Sequence, residues 1–347
     1  MMAERAVLYN AHEALGAKFT DFSGFEMPLY YSSIVEEHLA VRKAAGLFDV
    51  SHMSKVFVEG ERAQETMSRV TTSNPAKLSY GRVKYTMILD EGGKIIDDLT
   101  HMVLKDRYLL VPNAGKAKRI ESWINEKSPG KAIDRSKEYL IFALQGPLAE
   151  KALRKLYSKE LPKRFRFIET ELEGYETIVS RTGYTGEDGF EFITKNKELF
   201  MKLLDAGKEF GIKPCGLGAR DSLRLEKCMC LAGNELEGRT PIEANLEWVI
   251  DWDHEFIGKN SLNRDVKELL VPLLLEDKGV PRHGYPIKNE KNDKKIGVVT
   301  SGGFSPVLEK GIALGYVEKG EARAGNEVYI DARGKELKAK IIKGTFV

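Results

Sequence analysis

The chain has 347 residues, of which 42% are hydrophobic and 31% charged, as in ordinary globular proteins of two or three domains. Its 54 basic residues nearly balance its 52 acidic ones, so the net charge of +2 gives no reason to expect nucleic acid or membrane partners. Three cysteines are too few for a disulfide framework, and no apolar run approaches the roughly 20 residues of a membrane span. Because the N-terminus does not resemble a signal peptide, we expect a cytoplasmic protein.

Helices and strands alternate irregularly through the first three quarters of the chain. Ser33 to Glu36 form a capping box that opens a helix ending near Gly46, and the alternation over 48–58 then predicts one strand. The patterns further predict helices at 61–68, 116–126, 197–210 and 219–228, and strands at 83–89, 95–103, 108–112, 139–144, 165–172 and 176–180. Hairpins without a regular βαβ repeat indicate an α+β fold.

The pattern changes after about residue 262. Short strands are predicted at 271–275, 296–300, 312–317, 327–330 and 337–342, separated by loops rich in Gly, Pro, Asp and Asn. No helix is predicted between them, so this part should be a small all-β domain, most simply a barrel. We therefore predict a domain boundary near residue 265, with one region at 1–265 and another at 266–347.

Two adjacent aspartates interrupt the apolar strand 95–103. Asp97 and Asp98 follow the glycine pair Gly92-Gly93, where a hairpin turn is expected. Neighbouring strand residues point to opposite faces, so one carboxylate should face inward and the other outward. An inward carboxylate is costly unless it has a partner. That partner could be a ligand or a buried arginine, or the pair could simply flank a turn.

Other polar segments also stand out. Arg220 lies in the first turn of a predicted helix, where a cation is unfavourable, so it should contact an anion from the protein or from a ligand. His52 is either an acid–base group or a hydrogen-bonded structural residue, and Met53 either contacts a flat ring or packs in the core. Cys228 and Cys230 lack enough accompanying ligands, so we predict no metal site. Glycine-rich polar loops lie at 181–189 and 300–306.

Taken together, these segments resemble the aminomethyltransferase, or T-protein, family of the glycine cleavage system. The matching segments are 46–53, 92–98, 111–114, 144–147, 181–189, 215–226, 241–248, 256–258 and 300–306, in the family's order. The resemblance implies a three-domain cloverleaf around a central folate site, with two interleaved α+β domains within 1–265 and a C-terminal β-barrel. It also implies transfer of an aminomethyl group from the lipoyl arm of H-protein to tetrahydrofolate, with release of ammonia.

The resemblance also implies roles for individual residues. Asp97 would be the catalytic carboxylate beside the folate nitrogens, while Asp98 would face away and His52 would be structural. The residues that resemble pterin- or glutamyl-binding positions are Met53, Tyr85, Asn113, Tyr184, Glu187 and Arg220. Among them, Glu187 suits the donor edge of a pterin, Arg220 suits an acidic tail, and Tyr184 could pack against a ring.

Two other functions use the same kind of folate cradle. One is folate-dependent demethylation of a small N-methyl or S-methyl compound. The other is an accessory role for iron–sulfur enzymes, whose signature the segment 227–235 matches only loosely. Departures from the aminomethyltransferase pattern, such as Ala232 where an aromatic residue is common, concern the outer pocket. We therefore expect aminomethyl transfer with H-protein as the partner.

Overall fold

The structure is a computed structural model that describes residues 3–289 and 294–347. These residues form seven α-helices: α1 (Tyr9–Ala14), α2 (Ile34–Lys43), α3 (Ala63–Val70), α4 (Ala117–Lys127), α5 (Ala149–Leu153), α6 (Leu199–Gly207) and α7 (Leu217–Glu226). Shorter helical turns lie at Pro75–Lys77, Lys208–Phe210, Ala232–Leu236, Glu247–Val249 and Lys259–Ser261. None of the helices in these two ranges is long and apolar enough to cross a membrane.

The strands form three sheets and a closed barrel. Strands of the first part are β1 (Glu4–Arg5), β2 (Lys18–Phe22), β3 (Phe25–Tyr30), β4 (Gly46–Asp49), β5 (Val56–Glu59), β6 (Val83–Leu89), β7 (Ile95–Val103), β8 (Tyr108–Val111), β9 (Lys131–Asp134), β10 (Leu140–Gln145), β11 (Phe167–Leu172), β12 (Tyr175–Ser180), β13 (Gly189–Thr194) and β14 (Lys213–Cys215). Their orders are β1-β3-β2, β11-β12-β13-β10-β4-β14 and β6-β7-β8-β5-β9. The predicted α+β class is confirmed.

The chain divides into two compact units. The first comprises Met1–Met87, Asp97–Asp221 and Asp253–Phe256. Its largest core packs α5 and α6 against the six-stranded sheet, around side chains such as Phe142, Phe190 and Phe200. Burial of such large apolar side chains is the main force that holds a sheet and its helices together. The domain boundary near 265 and the interleaving of two domains before it stay predictions.

The second unit comprises Ile88–Ile96, Ser222–Trp252 and Ile257–Val347, and its main feature is a closed barrel. The barrel strands are β15 (Glu268–Leu275), β16 (Pro286–Lys288), β17 (Lys295–Ser305), β18 (Lys310–Glu318), β19 (Glu327–Ala332) and β20 (Lys335–Ile341). They close in the order β15-β18-β17-β16-β19-β20 around buried aliphatic side chains. The predicted β-barrel is confirmed, with β16 as a strand that the pattern did not predict.

The prediction of a single strand over 48–58 is wrong. The chain leaves the six-stranded sheet after β4 and enters the five-stranded sheet at β5, and residues 50–55 form a loop between them. The Asp49 carboxylate accepts a hydrogen bond from the backbone of Ser51, and the Met53 amide donates to the carbonyl of Val50. These local bonds turn the chain where the side-chain alternation would continue it.

Two other local predictions are confirmed. The Ser33 hydroxyl accepts a hydrogen bond from the Glu36 amide at 3.2 Å, so the capping box does open α2. The glycine pair does form a hairpin turn between β6 and β7, where Gly93 has a φ of 79° and its amide donates to Asp90. This hairpin sets the position of the aspartate pair near the start of β7.

Candidate functional site

A buried carboxylate lies at the start of β7 in the first unit. The Asp97 side chain accepts two hydrogen bonds from Asn113, one from the backbone amide to Oδ2 and one from the side-chain amide to Oδ1, both at 2.9 Å. Asp97 is only 1% exposed, which confirms that the first aspartate faces inward. The Asp97 carboxylate is therefore paired with the amide groups of Asn113 and not with a buried arginine.

Asp98 is the less buried of the two aspartates, as the alternation predicts, and it also bonds to Asn113. That it faces away from a ligand stays a prediction. Its Oδ1 accepts from the Asn113 side-chain amide and its Oδ2 from the Tyr85 hydroxyl, both at 2.9 Å. The reason is the sheet register: Thr100 lies opposite Val111, and continuing this antiparallel pairing places Asp98 opposite Asn113 just beyond β8. From the strand end, the Asn113 side chain reaches both aspartates.

The charge of Asp98 affects the protonation of Asp97. Burial, and then the negative charge of Asp98, raise the pKa of Asp97 to about 7, although the hydrogen bonds from Asn113 act in the opposite direction. A carboxyl group with a pKa close to neutrality can exist in both protonation states under ordinary conditions. Asp97 is therefore suited to accept a hydrogen bond or a proton from a bound nucleophile.

The loop at 50–55, which carries Met53, is attached to the residue that binds this pair. The Ser54 hydroxyl donates to the carbonyl of Asn113 at 2.9 Å, which attaches the loop to the residue that fixes Asp97. The ammonium group of Lys55 donates to the carbonyls of Ser51 and Met53, both at 2.9 Å, and its side chain is fully buried. Burial lowers the pKa of Lys55 to about 8. The sequence analysis missed Lys55 because it placed this residue in a strand.

A buried relay anchors the other end of this loop. The Tyr31 hydroxyl lies 2.9 Å from Nδ1 of His12, whose Nε2 lies 2.9 Å from the Asp49 carboxylate. Asp49 in turn accepts from the Ser51 amide at 2.8 Å. His12 is fully buried, and no motif pointed to it. This relay stabilises the turn that presents His52 and Met53 without itself contributing a group to the cluster around Asp97.

A second cluster surrounds Arg220, in the first turn of α7. Its guanidinium lies over the Tyr184 ring, 4.7 Å from the ring centroid, which is a favourable cation–π geometry. Within the described chain this guanidinium makes no hydrogen bond or ion pair. Burial lowers the pKa of Arg220, and the opposing charges of Glu191 and Tyr184 act against that shift. A half-buried guanidinium with unused donors is suited to an anionic ligand.

His52 lies close to this cluster. Its ring packs edge-on against Phe22, and neither ring nitrogen forms a hydrogen bond with a described residue, with Nδ1 fully buried. Burial, and then the positive charge of Arg220, lower the pKa of His52 to about 3, so the imidazole is neutral at physiological pH. It therefore cannot be the cation of an acid–base pair, and the structural role predicted for it stays a prediction.

The glycine-rich loop that carries Tyr184 is held by a buried glutamine. The Gln145 amide donates to the carbonyl of Thr182 at 3.0 Å, and its oxygen accepts from the Thr185 hydroxyl at 3.0 Å. A Cβ at Gly183 would lie 1.7 Å from Oε1 of Gln145, so only glycine fits there. The sequence indicates Gln145 only as part of the segment 144–147, without a role.

Glu187, at the far end of this loop, already has a cationic partner. Its Oε1 accepts from the Arg42 guanidinium at 2.9 Å, and Arg42 also donates to the carbonyl of Thr185. Arg42 therefore orients Glu187 and ties the loop to α2, a contact between distant segments that the sequence did not suggest. In the described residues, no group of three or more His, Cys, Asp or Glu side chains is arranged to hold a metal ion.

The structure thus brings the predicted residues into two groups within the first unit. Asp97, Asn113 and Tyr85 share one hydrogen-bond network, and Tyr184 and Arg220 form one stacked pair. The loop at 50–55 reaches both groups, through Ser54 on one side and His52 on the other. The roles of the individual residues toward a ligand stay predictions.

Comparison with known proteins gives matches over nearly the whole chain. Two family models match, the GCVT N-terminal domain over residues 8–254 and the glycine cleavage T-protein C-terminal barrel domain over residues 269–347. An aminomethyltransferase of Halothermothrix orenii is 42% identical, with 99% of this chain and 100% of that protein covered. One of Aquifex aeolicus is 44% identical, with 98% and 95% covered.

A solved structure is also similar. The crystal structure of glycine cleavage system aminomethyltransferase T from Bartonella henselae matches with a TM-score of 0.91 at 34% identity, covering 99% of this chain and 98% of that one. The similarity in sequence and the similarity in structure therefore both extend over nearly the full length of the chain.

Proposed function

This chain belongs to the aminomethyltransferase family, the T-proteins of the glycine cleavage system, and we propose that it transfers an aminomethyl carbon from the lipoyl arm of H-protein to tetrahydrofolate. The products would be 5,10-methylenetetrahydrofolate, ammonia and dihydrolipoyl H-protein. In this reaction the carbon loses its bonds to sulfur and to the amino nitrogen and gains bonds to two folate nitrogens. The two N–H protons released by the folate are taken up by the sulfur and by the departing amine.

The observation that carries the proposal is the buried carboxylate of Asp97, held by two hydrogen bonds from Asn113. A carboxylate fixed in this way can accept a hydrogen bond from the N–H of the attacking nitrogen and stabilise the positive charge that develops there. Because the raised pKa of Asp97 lies near neutrality, the same group can take up and return a proton during the reaction. Fixed positioning needs no covalent enzyme nucleophile.

The second cluster supports a folate-like ligand with an acidic tail. The Arg220 guanidinium has unused hydrogen-bond donors above the Tyr184 ring, and Arg binds carboxylates with a planar fork. Nδ1 of His52 is also buried without a protein partner. In the proposed complex, Arg220 binds the glutamyl carboxylate and Tyr184 packs against a ring. Met53, Tyr85 and Glu187 line the pterin, with Glu187 oriented by Arg42.

Turnover assays with tetrahydrofolate test the proposal. We expect methylenetetrahydrofolate and ammonia to form from aminomethylated H-protein, and small N-methyl or S-methyl donors to give little product. Faster turnover of a methyl donor would instead indicate a demethylase. Folate binding with no turnover of any donor would favour the accessory role. The Asp97→Ala variant is the control, because it should bind folate but lose turnover of the true donor.

A further inference from the structure

Two exposed aromatic side chains lie on two paired backbone segments of the first unit. Tyr80 is 44% exposed and Phe165 is 49% exposed. The backbone segments that carry them run antiparallel: Arg82 pairs with Arg166, and the amides of Val83 and Phe167 donate to the carbonyls of Phe165 and Gly81. Single exposed apolar residues are common on protein surfaces, so exposure alone would not indicate a binding site.

The charge around these rings is what makes them unusual. Four cations lie on the two segments within two residues of these rings, and Lys105 lies against the Tyr80 ring. We call the whole set the cationic aromatic face: Tyr80, Phe165, Arg82, Lys105, Lys163, Arg164 and Arg166. The Lys105 ammonium lies 5.9 Å from the centre of the Tyr80 ring, and the Arg164 guanidinium 5.5 Å from that of Phe165. In the described part of the chain, none of the five cations forms an ion pair.

The acidic groups nearby neutralise this face only in part. Asp188 interacts with the charge of Arg164, but its hydrogen bonds are with Arg181, whose Nε donates to Oδ1 at 2.9 Å. Asp106 lies 3.9 Å from the guanidinium of Arg107. Glu169 lies near the Tyr80 hydroxyl, where burial and this carboxylate raise the pKa of the phenol. The excess of unpaired positive charge is therefore local, although the whole chain has a net charge of only +2.

The backbone of Phe165 is strained. Its φ is 56°, in the left-handed region that non-glycine residues rarely adopt. The conformation is enforced from both sides, because the Phe165 amide donates to the carbonyl of Arg181 and its own carbonyl accepts from Val83, both at 3.0 Å. A half-exposed ring gains little from burial, so it does not offset this strain. Backbone strain held in place by surrounding bonds is often found at functional surfaces.

The same backbone connections lead into the candidate site. Val83 begins β6, in which Tyr85 donates to Asp98. Arg181 begins the loop that carries Tyr184 toward Arg220. The cationic aromatic face therefore lies on the segments that hold both clusters of the site. A macromolecule docked on this face would therefore contact segments that also carry groups of the site.

We propose that the cationic aromatic face is the docking surface for the lipoyl-carrying partner, which would contact it through an acidic surface. This inference rests on the proposed function, which requires a protein-borne donor. Arg, Tyr and Phe are enriched where protein interfaces form, and unpaired cations speed up the encounter with an oppositely charged partner. An acidic protein surface can pair with the cations and also cover the two rings.

The first test reverses the charge of the face. With the double variant Arg164→Glu/Arg166→Glu, we expect the KM and the Kd for the lipoylated carrier to rise at least about tenfold. The kcat at saturating carrier and the turnover of a free aminomethylated dihydrolipoyl compound should stay unchanged. The matched control is Lys118→Glu/Arg119→Glu, which makes the same charge change on exposed positions of α4. Equal effects of the two double variants would overturn the proposal.

Binding and turnover are measured separately so that the two proposals can fail independently. If the wild type binds the carrier on this face but produces no methylenetetrahydrofolate, the proposed function fails and the docking surface stands. Anionic vesicles and RNA are tested in the same titrations. If the charge reversal weakens binding to either of them and leaves carrier binding intact, the docking proposal is overturned.

The second test removes the strain and the ring together. Phe165→Gly should keep or raise the unfolding midpoint, because glycine adopts a positive φ without strain, while the KM for the carrier rises several-fold. The matched control is Glu173→Gly, at a φ of 54° in the turn between β11 and β12, which should leave the KM unchanged. A lower unfolding midpoint with an unchanged KM for Phe165→Gly would show that the ring is structural and would overturn the proposal.

Discussion

Asn113 holds the Asp97 carboxylate by both of its oxygens, with the backbone amide on Oδ2 and the side-chain amide on Oδ1, each at 2.9 Å. The same side-chain amide also donates to Oδ1 of Asp98. One residue at the end of β8 therefore fixes both carboxylates, and it keeps Asp97 in place even though burial disfavours its charge.

Asp97 and Asp98 should differ in their effect on turnover. We expect Asp97→Asn to lower the single-turnover rate by about 10²–10³-fold, since it removes the negative charge beside the reacting nitrogen. Asp98→Asn should cost about tenfold or less, because Asp98 acts on the reaction only through Asp97 and Asn113. Rates with aminomethylated H-protein measure this, with circular dichroism to confirm folding. Equal losses in two folded variants would contradict the assignment of Asp97.

The rate should depend on pH through Asp97. Because its pKa is raised to about 7, the single-turnover rate should increase with pH around a midpoint near 7. The charge of Asp98 is one cause of that shift, so Asp98→Asn should move the midpoint to lower pH. A midpoint that stays the same in this variant would mean that the rate reports another group. Tyr85→Phe is the control, because it removes a hydrogen bond from Asp98 but no charge.

The raised pKa of Asp97 also makes the free energy of unfolding depend on pH. The folded state binds the Asp97 proton more tightly than the unfolded state, whose pKa for this group is near 3.8. Asp97 therefore favours folding at low pH, and this contribution is lost as pH rises from about 4 to about 7. Urea unfolding of the wild type and of Asp97→Asn across this range should show their difference in free energy changing in that direction.

Lys55 should make the free energy of unfolding depend on pH in the opposite direction. Burial lowers its pKa from 10.5 to about 8, so between these values the unfolded state binds more protons and stability rises with pH. Lys55→Met should remove that slope in urea unfolding between pH 8 and 10.5. It should also weaken folate binding, because Met53 loses the hydrogen bond that holds its carbonyl. Lys118→Met, at an exposed position, is the control and should change neither quantity.

Arg220 should make the affinity for tetrahydrofolate depend on the number of glutamyl groups in its tail. Arg220→Ala should weaken binding of polyglutamylated tetrahydrofolate more than binding of the monoglutamate, since its unused donors suit carboxylates. Fluorescence or calorimetric titrations with both forms measure the difference. The same loss for both would mean that the guanidinium serves the packing of Tyr184 rather than the tail. Arg119→Ala, on the exposed side of α4, should affect neither ligand.

A buried ion pair should determine the stability of the second unit. Arg224 lies 3.1 Å from Glu235, with both side chains at most 1% exposed, and it also donates to the Ser301 hydroxyl at 2.8 Å. Glu235→Ala should cost about 3–5 kcal/mol of unfolding free energy, because it leaves a buried cation without its partner. The double variant Arg224→Met/Glu235→Leu should cost less than Glu235→Ala alone. A larger loss in the double variant would contradict this reasoning.

Local sequence patterns were sufficient for much of the fold. The capping box at Ser33, the glycine turn before Asp97 and the alternation of the barrel strands are all visible in short stretches of sequence. The two-residue period of a strand also predicted that one aspartate of the pair faces inward, and the family resemblance assigned this position to Asp97. Those predictions were confirmed because nothing distant in the chain acts against the local preference.

The main error arose where bonds between side chains and the nearby backbone oppose the alternating pattern. The residues at 48–58 alternate like one strand, but bonds from Asp49 and Lys55 turn the chain and divide it between two sheets. The bond between Asp98 and Asn113 was not predicted, because it depends on the register of β7 and β8. The pattern around Asp98 itself does not indicate this distant contact.

By itself, then, the sequence determined the α+β class, the barrel, the family and the presence of one inward carboxylate in the Asp97–Asp98 pair, because periodicity and ordered motifs are properties of the sequence alone. Only the tertiary structure decided that Asn113 joins the two aspartates, that the guanidinium of Arg220 lies over Tyr184 with unused donors, and that Lys55 is buried under the loop carrying Met53. The physical reason is that hydrogen bonding and burial depend on which distant segments meet, and this sets the energy of each charged group.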